Sequence, residues 1–129
     1  MPTCLAAAGT DVPGDVDGTD LLAVTRLSAD DKRVFVGDCR HRFFCVVDGR
    51  WKYHWTALGG AELLFDREND PCEQNDLHGD SAHGPQLETL RAQLVAHLAA
   101  KGSDLVKDGV LQSRSSPRSR RDVSRYPGF

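Results

Sequence analysis

The sequence lacks the features that mark membrane-spanning, secreted and disulfide-stapled proteins. It contains no apolar run of about 18 residues, which a membrane-spanning helix would need. Its first residues, MPTCLAAAGTDVPGD, have neither the charged segment nor the long apolar segment of a signal peptide. We therefore expect no membrane partner and take the cytoplasm as the default compartment. Neither a disulfide framework nor a zinc knuckle is indicated, because no C-x-x-C pair occurs among Cys4, Cys39, Cys45 and Cys72.

The common catalytic motifs are also missing. The sequence has no Gly-rich phosphate loop, no H-E-x-x-H and no G-x-S-x-G. Its histidines are scattered, and no nucleophile can be placed beside a base and an orienting group, as covalent catalysis requires. What is present suits one ordinary globular domain: 129 residues, of which 40% are hydrophobic and 27% are charged.

Charge is distributed unevenly along the chain. The net charge is -3, yet residues 113–129 contain five arginines and one aspartate, a net of +4. The rest of the chain therefore carries about -7. An acidic body argues against nucleic acid as a partner, since nucleic-acid-binding domains usually present a basic patch. The Arg- and Ser-rich segment 113–129 cannot build a core and is predicted to be a disordered tail.

Hydrophobic periodicity predicts an α+β fold, in which a β-meander of three or four antiparallel strands packs against one long helix. The predicted strands are 33–37, 42–47, 50–56 and 62–66, and Asp48-Gly49 predicts a type I′ hairpin turn. Because the second strand is apolar on both faces, we expect it to be central and covered on both sides. The helix, 85–101, carries one apolar stripe made of Leu87, Leu90, Leu94, Val95 and Leu98. Short helices are predicted at 2–8 and 21–26.

Aromatic and basic residues alternate in the segment DGRWKYHW, 48–55. Residues two apart in a strand share a face, so three aromatic side chains lie opposite Arg50, Lys52 and His54. An aromatic stripe of this kind usually belongs to a core. A ligand-facing rim and a base-stacking surface are the alternatives, although base stacking needs aromatic and basic groups in one groove. The predicted core comprises Trp51, Tyr53, Trp55, Phe65, Leu90 and Leu94.

The link between the first two strands, 38–42, mixes an acid, a thiol, an imidazole and guanidinium groups. Such groups can serve metal binding or acid–base chemistry, but Cys39-x-His41 supplies two ligands at most. A solvated polar turn is the simpler alternative. A third interpretation is that the link forms the rim of an adjoining substrate site, through Asp38, Arg40 and His41.

The order of segments along the chain resembles the C-terminal end of sulfatases, above all the bacterial arylsulfatase type of the alkaline-phosphatase superfamily. The resemblance covers about residues 2–112 and rests on PTCLAAAG, VPGDVDGTDLL, VFVGD, VVDGRWKYHW, GGAELLFDRENDPCEQNDL, LRAQLVAHL and DLVKDGVL. It implies that 32–112 form the C-terminal subdomain, a four-stranded antiparallel sheet with a helix packed on it. It also implies that 1–31 are the end of a large domain and a linker. In the family, this subdomain leans against a large α/β domain that performs the chemistry.

The resemblance also implies what the chain should be unable to do. The family's large domain carries a formylglycine, matured from C/S-x-P-S/A-R, and a calcium-type divalent cation. No such motif occurs here, and the nearest segment, 115–119, reads S-x-P-R-S. We therefore assign no catalytic residue, no metal ligand and no cofactor to this chain, and expect the N-terminal catalytic domain to be absent. The leading hypothesis is an inactive sulfatase C-terminal fragment. The alternatives are a non-enzymatic binding module for an acidic partner and the small part of a split sulfatase, docking onto a large domain in trans.

Overall fold

The computed structural model describes residues 1–16, 18–24 and 34–116. The chain divides into two compact units, Met1–Lys32 and Arg33–Phe129. Most of the predicted tail lies outside the described residues. None of the described helices is long and apolar enough to cross a membrane.

The first unit contains two short helices, α1 (Pro2–Ala7) and α2 (Leu21–Val24). Proline suits the first turn of α1, because the amide hydrogen that it lacks would have no partner within the helix. The backbone amide of Leu21 donates to Oγ1 of Thr3 at 2.9 Å and so ties the start of α2 to α1. The predicted continuation of the second helix beyond residue 24 lies outside the described residues.

The second unit contains the predicted four-stranded antiparallel sheet. Its strands are β1 (Val34–Cys39), β2 (Phe43–Asp48), β3 (Trp51–Thr56) and β4 (Glu62–Asp66), and they pair in the order β1-β2-β3-β4. A 3-10 turn, Ser81–His83, leads into the long helix α3 (Gly84–Ala100). A small hairpin, β5 (Val106–Lys107) and β6 (Val110–Leu111), follows. The α+β prediction is confirmed.

One face of the sheet, the helix face, packs against α3 and forms the core. Helical spacing brings four leucines of α3 onto one stripe, where all four are buried. Cross-strand pairing places Val46, Tyr53 and Leu64 side by side beneath them. The buried cluster contains Phe44, Val46, Tyr53, Trp55, Ala57, Leu64, Leu87, Leu90, Leu94, Leu98 and Leu105.

The opposite face of the sheet, the open face, carries no described helix of the second unit. Strand alternation and register assign to it Phe35, Cys39, Phe43, Cys45, Val47, Lys52, His54, Thr56, Leu63 and Phe65. The prediction that the second strand is covered on both sides is therefore wrong. On β2, Phe44 and Val46 are buried against the helix, whereas Phe43 on the other side is 55% exposed. Apolar composition alone could not reveal that, within the described part of the second unit, α3 covers the helix face and leaves Phe43 exposed.

The β2–β3 hairpin turns one residue later than predicted. Asp48 pairs with Trp51, so Gly49 and Arg50 are the two loop residues. Gly49 has a φ of 50°, and Arg50 is not among the residues with positive φ, which is the pattern of a type II′ turn. The predicted type I′ turn at Asp48-Gly49 is wrong, because Asp48 stays in the strand ladder and glycine supplies the one positive φ that the loop needs.

Candidate functional site

The predicted substrate rim lies on the β1–β2 turn, where two non-glycine residues adopt left-handed backbone conformations. Arg40 and His41 have φ angles of 54° and 53°. Asp38 holds this turn: its Oδ1 accepts the backbone amide of His41 at 2.7 Å, and its Oδ2 lies 2.7 Å from Nδ1 of the same histidine. The carboxylate thus offsets the unfavourable backbone conformation by binding both the backbone amide and Nδ1 of His41.

This turn brings together an acid and an imidazole but not a metal site. Strand alternation sends Asp38 to the helix face and Cys39 to the open face, so their side chains diverge. Among the described residues, no three His, Cys, Asp or Glu side chains are grouped as ligands. These residues therefore do not fit the calcium-type cation that the resemblance implies for full-length sulfatases. The role of Asp38, Arg40 and His41 as a substrate rim stays a prediction.

The two most specific sequence segments meet in an ion pair that sequence reasoning did not assign to any site. Arg50, from the hairpin DGRW, donates through Nε to Oδ1 of Asp66 at 2.8 Å and through a terminal nitrogen to Oδ2 at 2.5 Å. Asp66, from LLFD, is only 5% exposed. Two parallel bonds between guanidinium and carboxylate fix geometry as well as charge. Both segments belong to the part of the sequence that resembles sulfatases, and this shared resemblance was the sequence signal that could have pointed to the pair.

Asp66 also organises the loop that follows β4. Its carboxylate accepts the backbone amide of Glu68 at 3.2 Å and the side-chain amide of Asn69 at 2.8 Å. Its carbonyl accepts the amide of Asp70 at 2.7 Å. The Arg50 guanidinium is the main cause that holds the pKa of the Asp66 carboxyl well below its usual range, with Asn69 and the backbone amides adding to it. Asp66 is thus ionised, and its carboxylate joins the β2–β3 hairpin to the loop that follows β4.

Replacing Asp66 with asparagine is expected to destabilise the domain, and the effect should depend on pH. Because the folded-state pKa of Asp66 is depressed, its contribution is present above the unfolded carboxyl pKa of about 3.9 and is lost as pH falls through the folded pKa. The difference in unfolding free energy between wild type and Asp66→Asn should therefore be largest near pH 7 and should shrink below pH 4. Urea unfolding at pH 7 and pH 3 measures it.

The matched control is Glu68→Gln, which removes the exposed second carboxylate, 3.2 Å from the same arginine. An exposed pair contributes about 0.2–1 kcal/mol at most, so this variant should unfold almost like wild type. Equal losses of unfolding free energy from Asp66→Asn and Glu68→Gln would contradict this structural role of Asp66.

An open cleft of about 260 Å³ beside this ion pair is lined by Gly49, Arg50, Arg67 and Glu68. Its two guanidinium groups are already engaged, since Arg50 binds carboxylates and Arg67 donates to the carbonyl of Gly49 at 3.2 Å. The cleft is therefore better explained by the hairpin and loop packing than by an anionic ligand.

The segment between β4 and α3, which contains DPCEQND, covers the outer edge of β4. Asp76 accepts the backbone amide of Leu64 at 3.0 Å, and the amide of Leu77 donates to the carbonyl of Leu64 at 2.8 Å. Asp70 accepts the amides of Gln74 and Asn75, both at 2.7 Å. These bonds cap a strand edge that would otherwise expose pairing groups. The D-P-x-E part of the resemblance is thus a structural loop.

A second polar cluster joins α3 to the sheet. Arg91 donates to both carboxylate oxygens of Glu62, at 2.7 and 2.6 Å, and Tyr53 donates its hydroxyl to the same carboxylate at 2.6 Å. Arg91 lowers the pKa of Glu62, Glu62 raises the pKa of Arg91, and burial raises the pKa of the Tyr53 hydroxyl. All three groups keep one protonation state near neutral pH, so the cluster fastens the helix and does not exchange protons.

The predicted core residues divide between the two faces of the sheet. Tyr53, Trp55, Leu90 and Leu94 are buried on the helix side. Trp51 is half-buried at the edge of that cluster, with the Arg50 guanidinium 5.0 Å from its ring centre. Phe65 is buried on the open face, where its ring meets that of His54 edge-on at 6.1 Å.

Neither a protein-family model nor a curated protein matches this chain. Solved structures do match it. A Bacteroides thetaiotaomicron protein solved as a candidate sulfatase is 23% identical with a TM-score of 0.67, over 99% of this chain and 28% of that one. BT1596, a 2-O GAG sulfatase, is 23% identical with a TM-score of 0.65, over 98% of this chain and 28% of that one. The candidate sulfatase yidJ of Bacteroides fragilis is 22% identical with a TM-score of 0.61, over 80% of this chain and 24% of that one.

At this level of identity the comparisons establish a shared fold. The chain spans only about a quarter of the length of the solved structures that it matches. The four-stranded sheet, its helix and their connecting loop therefore reproduce the fold of a part of sulfatase structures.

Proposed function

We propose that this chain is a sulfatase-type C-terminal subdomain, of the bacterial arylsulfatase kind, that does not hydrolyse sulfate esters by itself. The proposal rests on one observation that links the sequence resemblance to a contact in the structure. The segments that resemble sulfatases, DGRW and LLFD, are the ones that the Arg50–Asp66 pair joins. The fold built around that pair is one that sulfatase structures share.

The proposed inactivity follows from the chemistry that the resemblance implies. Sulfatases of this type form a covalent sulfate intermediate on a hydrated aldehyde beside a metal ion. The sequence has no C/S-x-P-S/A-R from which that aldehyde could be made. Its acid–imidazole pairs, Asp38–His41, Asp76–His78 and Asp80–His83, each join residues two or three positions apart and hold local turns.

We expect no turnover of 4-nitrophenyl sulfate by the purified chain, with calcium present, beyond the rate in buffer. The measurement requires protein made in a host whose own sulfatases have been deleted, and an active sulfatase as the positive control. Turnover that co-elutes with the chain and disappears with a chelator would contradict the proposal.

The proposed role is support of a sulfatase-type large domain, which the chain would bind in trans as the small part of a split enzyme. The alternative, a binding module for an acidic partner, is less well supported by the described residues. Many of their basic side chains are already bound to carboxylates, in the pairs Arg50–Asp66, Lys52–Glu73, Arg91–Glu62 and Arg114–Asp104. Salt-sensitive binding of fluorescent heparin by the full chain would favour the acidic partner instead.

A further inference from the structure

The β1–β2 turn carries the two arginines whose guanidinium groups have no partner in the described part of the chain. Both Arg40 and Arg42 are exposed, and neither side chain forms a hydrogen bond or an ion pair with another described residue. The other described arginines each pair with a carboxylate: Arg50, Arg67, Arg91 and Arg114. A free guanidinium has five N–H donors, which a carboxylate can accept in pairs. The unused basic groups are therefore concentrated on one turn.

The backbone of this turn is strained and held in place. Arg40 and His41 both have positive φ, at positions where glycine, asparagine and aspartate are favoured. The amide of Arg42 donates to the carbonyl of Cys39 at 3.1 Å, and Asp38 binds both the amide and Nδ1 of His41. Strained residues of this kind cluster at binding sites. Because the turn is already ordered, a ligand would not have to order it on binding.

Exposed apolar side chains flank the two free guanidinium groups. Phe43 is 55% exposed and Leu58 is 43% exposed. The carbonyl of Arg42 accepts the amide of buried Ala57 at 2.8 Å, so the start of β2 lies beside the residues that follow β3. Arginine and aromatic residues are enriched where proteins contact one another. We call Arg40, Arg42, Phe43 and Leu58 the basic end of the sheet.

The Arg-rich segment of the chain starts at this same end. The amide of Arg114 donates to the carbonyl of Ala57 at 2.7 Å, and Arg114 forms a β-bridge with Leu58. Beyond it, residues 117–129 contain four arginines and one aspartate. Positive charge therefore enters the fold beside the basic end, although the whole chain has a net charge of -3.

We propose that the basic end binds a short acidic segment of another protein, in which carboxylates flank an apolar side chain. Arg40 and Arg42 would accept the carboxylates, and Phe43 and Leu58 would contact the apolar side chain. A short segment fits better than a long polyanion, because the free guanidinium groups occupy a single turn. Residues 1–112 carry about -7 and would repel an anionic polymer that extended past that turn. This inference goes beyond the proposed function and does not depend on it.

Fluorescence anisotropy of a labelled peptide, titrated with the full chain, tests the proposal. The probe has two glutamates on each side of a tryptophan, and its control has glutamines in their place. We expect a dissociation constant of roughly 10 µM to 1 mM for the acidic peptide, since two exposed ion pairs and a small apolar contact bind weakly. The affinity should fall several-fold between about 50 and 500 mM NaCl, because salt screens exposed charges. The glutamine peptide should not bind measurably.

The double variant Arg40→Gln, Arg42→Gln should raise the dissociation constant about tenfold, because both ion pairs are lost. Glutamine keeps the polar character of both positions and has no special preference for positive φ, so the backbone strain at position 40 is unchanged. The matched control is Lys107→Gln, which removes another exposed cation without a described partner, on β5. It should bind the peptide like wild type. Circular dichroism of each variant checks that the fold is kept.

A further variant separates the turn from the Arg-rich segment by replacing four arginines with glutamine: Arg118, Arg120, Arg121 and Arg125. It should raise the dissociation constant less than about threefold, since these residues would add only screened attraction. Loss of binding in this variant, with wild-type binding by the double variant, would overturn the proposal. So would equal effects of the double variant and Lys107→Gln, equal binding of the two peptides, or no binding up to about 1 mM. Tighter binding of single-stranded RNA than of the acidic peptide would assign the surface to a long polyanion instead.

Discussion

Leu94→Ala is expected to lower the free energy of unfolding by about 2–5 kcal/mol, the largest effect of any single substitution considered for this chain. Leu94 is completely buried on α3, within the cluster that contains Tyr53 and Leu64. Alanine removes the apolar contact and leaves a cavity, because the sheet below cannot move toward the helix without losing its own pairing. Since domains of this size are stable by about 5–15 kcal/mol, such a loss is a large part of the whole. Urea unfolding at pH 7 measures it.

Leu63→Ala is the matched control for this prediction. Leu63 is the same residue type on the same domain, but it lies on the open face and is 41% exposed. We expect a loss below about 1 kcal/mol, since little additional apolar surface becomes exposed. Similar losses at Leu63 and Leu94 would mean that the core is not confined to the helix face.

Arg91→Met is expected to destabilise the domain by about 1.5–3 kcal/mol, the second-largest effect. Methionine approximates the apolar stem and the helix propensity of Arg91 but removes the guanidinium, and with it both bonds to Glu62. Glu62 would then be left half-buried, with the Tyr53 hydroxyl still donating to its carboxylate. Helix α3 would lose its charged attachment to β4 while keeping its apolar face.

The pH dependence of the Arg91→Met effect separates charge from packing. Because Arg91 lowers the folded-state pKa of Glu62, the contribution of the pair is fully present above the unfolded pKa of about 4.3. It is lost as pH falls through the folded pKa. The difference between wild type and Arg91→Met should therefore be smaller at pH 3 than at pH 7 in urea unfolding. An unchanged difference would show that only packing had been lost.

The control for the Arg91 prediction is Glu88→Gln. Glu88 is the second carboxylate that Arg91 contacts, but its side chain is 69% exposed and lies one turn earlier on the same helix. Pairs of this kind contribute about 0.3–0.5 kcal/mol. Glu88→Gln should therefore be nearly neutral at both pH values.

The elements of the second unit could be predicted because their signals are local. Glu62–Asp66 was predicted without error, since a short apolar run between a Gly-Gly break and a polar segment leaves few alternatives. The bounds of α3 were predicted within one residue at each end. The leucines recur with the 3.6-residue period of a helix, and this pattern can be recognised from neighbouring residues alone. The alternation of DGRWKYHW correctly placed the aromatic side chains opposite Lys52 and His54, but Arg50 lies in the turn, with its guanidinium 5.0 Å from the Trp51 ring centre.

The ion pairs of the candidate site could not be predicted in the same way. Arg50 and Asp66 are 16 residues apart, and Glu62 and Arg91 are 29 residues apart. The residues next to an acidic residue in the sequence do not indicate which distant arginine its carboxylate will bind. The resemblance to sulfatases marked the segments that contain all four of these residues, but it did not reveal that their shared role is to hold the fold.

By itself, the sequence determined the α+β class, the strand and helix types, and the absence of a sulfatase nucleophile motif. These follow from short-range periodicity and from residue types that can be read one at a time. Only the tertiary structure decided that β2 is covered on one side, that Glu73 neutralises Lys52, and that Phe35, Phe43 and Leu63 form one exposed face. Strand register and the packing of α3 against the helix face decide these arrangements, and neither is encoded in the pattern of any one segment.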